Sequence, residues 1–124
     1  MRWYGLVDNR IDEQRANGEI KVGAGVTKYL YSDRRAWYVA EILKRNRKGE
    51  PTELKLIRAK VKAIDYFAGK WQVFPFEDAN KDDFCTVLRT RATKDGQRYW
   101  TENGTVNGTI FVIGRAEEYE DPSF

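Results

Sequence analysis

Residues 22–43 read VGAGVTKYLYSDRRAWYVAEIL, two alternating runs joined by a polar turn. Val26, Lys28 and Leu30 alternate with Thr27, Tyr29 and Tyr31, and a period of two residues belongs to a strand. Ser32-Asp33-Arg34-Arg35 carries short polar side chains that bond neighbouring amides, which predicts the turn. The run then resumes with Ala36, Tyr38, Ala40 and Ile42 on one face and Trp37, Val39, Glu41 and Leu43 on the other. Both faces are partly apolar, so this second strand is expected to be central, or to lie where a sheet curls into a barrel.

The pattern repeats downstream. KRNRKGEPTE (44–53) is a basic, Gly- and Pro-marked hairpin tip. Residues 54–64 form one further core strand, in which Ile57, Ala59, Val61 and Ala63 oppose Lys55, Arg58, Lys60 and Lys62, with Leu54 and Leu56 beginning the outer set. DYFAGKWQVFPF (65–76) is aromatic-rich. Residues 84–93 alternate well, and Asp95-Gly96 between alternating runs is a strong hairpin signal. TIFVI (109–113) closes the series, ahead of an acidic tail that carries Tyr119 and Phe124. Seven or eight short strands in about 120 residues point to a single mainly β domain spanning 1–124. The expected architecture is an SH3-like barrel core (22–64), or a highly curved antiparallel sheet, with an added β-meander (84–113). The alternative is an α+β domain with one short helix at 8–17, where Asp8 caps and Asn17-Gly18 stops the turn.

Composition narrows the chemistry. There is no histidine and one cysteine, Cys85. An internal disulfide and a cysteine zinc cluster are excluded, and the commonest general base is missing. A carboxylate-only enzyme is therefore disfavoured, and no cofactor or metal is expected. Cys85, in an alternating strand, is read as a buried, inert thiol. Net charge is only +3, from 22 basic and 19 acidic residues; this argues against a histone-like polyanion binder and leaves room for a local basic patch. No apolar run approaches a membrane span, and the N-terminal residues lack the apolar run of a signal peptide. A cytoplasmic protein in a reducing compartment is the expectation.

Gly23-Ala24-Gly25 invites a phosphate-loop reading, but such loops open a helix, and here a strand follows; a β-bulge is the expectation. Arg34 and Arg35 read either as solvated turn residues or as an anion fork. Lys44, Arg45, Arg47 and Lys48 form the densest cationic run, either a solubilising tip or a phosphate-contacting finger, and Arg58, Lys60 and Lys62 on the next strand, with Arg89 and Arg91, are candidates to extend that surface. Trp37, Tyr38, Trp71, Tyr99 and Trp100 are large rings that either pack the core or, beside the cations, stack bases. The binding candidates carried forward are Arg34, Arg35, Trp37, Tyr38, Lys44, Arg45, Arg47, Lys48, Arg58 and Lys60. The acids at 77–83 and 117–121 do not have the spacing of a calcium loop.

The segments Val22-Gly-Ala-Gly-Val-Thr and Tyr31-Ser-Asp-Arg, with Tyr119-Glu-Asp-Pro-Ser-Phe at the end, resemble a family of small bacteriophage proteins. Its pattern has a Gly-x-Gly-Ala-Thr opening, a Tyr-Ser-Asp turn and a Tyr-x-Asp-x-Ser-Phe ending. Val26 stands where alanine is expected, and Pro122 where an aromatic is. The likeness covers the first third and the last twelve residues. It implies origin more than mechanism: a non-enzymatic binder of the host cytoplasm that antagonises a defence system, by trapping a nucleotide ligand or blocking a nucleic-acid-handling protein or nucleoprotein complex. A general single-stranded nucleic-acid-binding barrel and a virion or assembly component are the other expectations. A homodimer is compatible with each.

Overall fold

A computed structural model describes residues 20–30, 32–79, 85–92, 98–102 and 110–120, the side chains of 91, 92, 98, 99 and 110 excepted. Eight strands follow in chain order: β1 (Gly25–Tyr29), β2 (Arg34–Arg45), β3 (Pro51–Arg58), β4 (Val61–Asp65), β5 (Lys70–Val73), β6 (Cys85–Ala92), β7 (Arg98–Glu102) and β8 (Ile110–Ile113). Six of them close an antiparallel barrel in the order β1-β2-β3-β6-β7-β8, and β4 with β5 makes a separate two-stranded sheet. Among the described residues the only helical turn is a 3-10 turn at Phe76–Asp78, and no helix is long and apolar enough to cross a membrane. The alternative helix at 8–17 lies outside the described residues.

The chain is thus mainly β, as its alternation predicts, with two corrections to the expected layout. The strands at 84–113 form the expected meander, β6-β7-β8, but it is not an addition: β8 pairs with β1 and β6 with β3, so the meander is half of the barrel wall. The single strand expected at 54–64 is two. β3 ends at Arg58, and β4 starts at Val61 as part of the excluded hairpin. Closure removes the sheet edges that an open meander would expose.

The barrel interior is filled by Val26, Trp37, Val39, Leu54, Leu56, Leu88, Trp100, Phe111 and Ile113, with Ile42 packed against them. Leu54 and Leu56 are therefore core residues, not the start of an outer set. Trp37, Val39 and Ile42 all face inward although their spacing is two and then three. The β2–β3 register shifts between Val39 and Glu41, and the extra residue of a bulge reverses the alternation beyond it. That reversal is why β2 looks apolar on both faces in the sequence. The expected bulge at the glycines is present too. Gly23 N–H donates to Val39 O at 2.8 Å and Val39 N–H to Ala24 O at 2.9 Å, so two residues oppose one. Gly23 has φ of 89°, the position that favours glycine in such a bulge.

Candidate functional site

Arg34 and Arg35 are the first residues of β2, not turn residues, and their register partners on β1 are Tyr29 and Lys28. On the other side of β2, β3 has already turned away at Arg58, and residues 115–120 fill the gap. Arg34 N–H donates to Tyr119 O at 2.8 Å and Tyr119 N–H donates back to Arg34 O at 2.9 Å, a short antiparallel bridge. Tyr119 is thus bonded through its backbone to β2 of its own chain.

Side chains complete this clasp. Glu118 is the pivot, its side chain only 3% exposed. Arg58 Nη1 lies 2.9 Å from Glu118 Oε1 and Arg58 Nη2 donates to Oε2 at 3.0 Å, the two-pronged geometry that suits guanidinium to carboxylate. Ala36 N–H adds a bond to Glu118 Oε1 at 2.9 Å, and Arg35 Nη1 stands 3.6 Å from Oε2. Arg34 Nη1 donates to Glu117 Oε2 at 2.7 Å, and Arg115 Nε lies 2.7 Å from Glu117 Oε1. Thr27, 1% exposed, bonds both ways, donating to Arg115 O at 2.7 Å and accepting from Glu117 N–H at 3.0 Å. Gly25 is needed for close approach: a Cβ there would lie 2.5 Å from Ala116 N. Three of the sequence-predicted binding residues, Arg34, Arg35 and Arg58, are thereby brought together, but by the protein's own carboxylates. The sequence reading weighed the acids at 117–121 only against the spacing of a calcium loop, and so missed Glu117 and Glu118; the run EE beside an aromatic was the only cue.

Trp37 and Tyr38 are also structural neighbours of the fold. Trp37 is buried in the barrel, as is Trp100, so neither ring is open to a base. Tyr38 faces outward and donates to Phe74 O at 2.6 Å, with its ring 5.8 Å from that of Phe76. It ties residues 74–79 across the outside of β2 and β3. Burial, then the charge of Glu77, raises the Tyr38 pKa above 10.0. Cys85 is exposed in β6, which corrects the buried reading: its register partner Ile57 is buried, but the strand begins at Cys85 itself.

The β2–β3 finger is the opposite case. β2 runs 12 residues, and its far end carries Lys44 and Arg45. The turn beyond is satisfied from within. Asn46 Oδ1 accepts from Lys48 N–H at 2.9 Å and from Glu50 N–H at 3.0 Å, Gly49 N–H donates to Asn46 O at 3.0 Å, and Gly49 takes φ of 82°. Arg45 Nη1 donates to Gly49 O at 2.7 Å. Lys44 is 69% exposed, with Nζ 3.6 Å from Glu53, and Arg89 Nε shares that carboxylate at 3.1 Å. Arg47 and Lys48 are exposed and take part in no ion pair among the described residues. Sequence reasoning located this finger and its cations; it missed Asn46 as the residue that holds them on a fixed turn.

Lys60 sits where β3 gives way to β4, its Nζ 5.2 Å from the Phe74 ring centroid. The β4–β5 hairpin stands apart from the barrel. Between it and the tail lies a cleft of about 510 Å³, bordered by Arg34, Trp71, Glu117 and Tyr119. No group of three or more histidine, cysteine or carboxylate side chains that could hold a metal occurs among the described residues. Compared with known proteins, the chain matches no family model, no curated protein and no solved structure.

Proposed function

We propose that this is a non-enzymatic binding protein, of the kind a phage uses against a host defence system, that engages a nucleic-acid-handling complex in the host cytoplasm through the β2–β3 finger. The observation that carries the reading is the finger itself: a turn closed by its own hydrogen bonds that displays Arg47 and Lys48 to solvent, with Lys44 and Arg45 at its base. Cations carried on a turn with fixed backbone suit phosphate, because little backbone freedom remains to be lost on contact. Nucleotide trapping has weaker support. The cleft beside Arg34 is lined also by Glu117, which already takes that guanidinium, so a phosphate would meet a carboxylate there. The test compares wild type with Arg47→Glu/Lys48→Glu on immobilised heparin and in capture of nucleoprotein from bacterial lysate. The expected outcome is earlier elution and loss of the captured nucleoprotein in the variant; identical elution and capture would sink the reading.

A further inference from the structure

The β4–β5 hairpin is not used by the finger reading, and its surface is unusual. Phe67 at its tip is 83% exposed and Ile64 is 59% exposed, the two most exposed large apolar side chains described. The tip is nonetheless ordered. Gly69 N–H donates to Tyr66 O at 3.1 Å, Asp65 Oδ1 accepts from Ala68 N–H at 3.2 Å, and Gly69 takes φ of 69°. The Tyr66 ring packs edge-on against Phe67 at 5.6 Å and against Trp71 at 6.3 Å. A two-stranded hairpin alone is marginal in water. This one is propped by the tail: a Cβ at Gly69 would come within 2.5 Å of the Tyr119 ring, so that ring lies directly on the turn.

The same hairpin carries exposed lysines. Lys62 and Lys70 are exposed and form no ion pair among the described residues, and Lys60 lies at the root over Phe74. The one acid in the hairpin, Asp65, is engaged with its own turn. A flat ring displayed at the tip of a hairpin that also carries exposed lysines is the combination that holds an unpaired nucleic-acid strand, with bases on the ring and phosphates on the cations. We infer that the β4–β5 hairpin is a contact site for single-stranded nucleic acid, in which Phe67 stacks a base and Lys62 and Lys70 meet neighbouring phosphates. A protein surface is the less favoured occupant: Lys62 and a β-bulge between Ala63 and Asp65 blunt β4 as an edge for strand addition. The inference rests on the proposed function only in taking a nucleic acid as part of the partner. The two sites are distinct, because finger and hairpin leave opposite ends of β3, a strand of 8 residues and therefore about 26 Å long.

The experiment measures fluorescence anisotropy of a labelled oligothymidylate of about 15 nucleotides in about 50 mM salt. Phe67→Ala is expected to weaken binding about fivefold or more and to leave the salt dependence unchanged, since stacking releases no counterions. Lys62→Gln/Lys70→Gln is expected to lower the slope of log affinity against log salt by about 1.4. Phe67→Leu, which keeps apolar area but removes the ring, should bind as weakly as Phe67→Ala, and Phe67→Trp should restore affinity. Wild-type affinity in Phe67→Ala or Phe67→Leu, equal binding of a duplex, or no binding of the oligonucleotide at all would overturn the hairpin site. Failure of the finger reading shows differently: Arg47→Glu/Lys48→Glu would then elute from heparin as wild type does, whatever Phe67→Ala does to the oligonucleotide.

Discussion

The clasp at the start of β2 and the finger at its end hold similar cations in opposite states. Arg34, Arg35 and Arg58 converge on Glu117 and Glu118, and the pivotal carboxylate is buried. Arg47 and Lys48, on the same hairpin, face solvent with no carboxylate partner among the described residues. In the clasp, guanidinium–carboxylate geometry substitutes for a missing strand: β3 has left β2 at Arg58, and the tail supplies backbone and charge in its place. In the finger, backbone hydrogen bonds, Asn46 and Arg45 hold the turn, so the charges of Arg47 and Lys48 remain available. Arginine density alone does not mark a binding surface; what matters is whether the fold itself consumes the charge.

The sharpest way to break this contrast is Glu118→Ala. It removes the carboxylate from the Arg58 guanidinium, 22% exposed, which keeps its bond to Ala36 O. The expected loss is about 2–3 kcal/mol, less than for a fully buried pair because Arg58 stays partly in water. A urea midpoint equal to wild type would remove the clasp from the stability of the fold. Gly25→Ala comes next: its Cβ meets the backbone of Arg115 and Ala116, and the displaced tail should cost about 2 kcal/mol. In the finger, Gly49→Ala has open space around its Cβ, so only the positive φ is penalised, at about 1 kcal/mol. A larger loss at Gly49 than at Gly25 would invert the comparison.

Tyr38→Phe removes the bond to Phe74 O and should cost about 1 kcal/mol. It also carries a pH signature. Because the folded-state pKa lies above the unfolded value of 10.0, the contribution of this group is present below pH ~10 and is lost as pH rises through the folded pKa. Wild type should therefore show an alkaline fall in melting temperature that Tyr38→Phe lacks; parallel curves would count against the assignment. Smallest of all on stability is Arg47→Glu/Lys48→Glu, expected within about 0.5 kcal/mol of wild type, while heparin retention drops. A large destabilisation there would mean that the finger's charges are structural after all.

Much of the architecture is legible in local pattern. Alternation from Val26 onward, the Gly23 bulge and the Gly49 turn can all be read without a structure, because each depends on the φ/ψ demands of a few neighbouring residues. The bulge beside Ala40 is not legible: Ala-Glu-Ile obeys no local rule that shifts register, and only packing of Val39 and Ile42 into the same interior reveals it. The break at Ala59–Lys60 is hidden for a similar reason, since Arg58, Lys60 and Lys62 look like one solvent-facing row.

By itself the sequence determined a mainly β chain with an exposed basic turn, since strand period, turn chemistry and composition act over short range. The tertiary structure alone decided that β6, β7 and β8 close the barrel against β1 and β3, that Arg58 meets Glu118 across 60 residues, and that Arg47 does not meet a carboxylate among the described residues. Hydrogen bonding acts only at contact, and Coulomb attraction in salt water fades within about 10 Å; proximity between residues far apart in the chain is set by closure of the barrel.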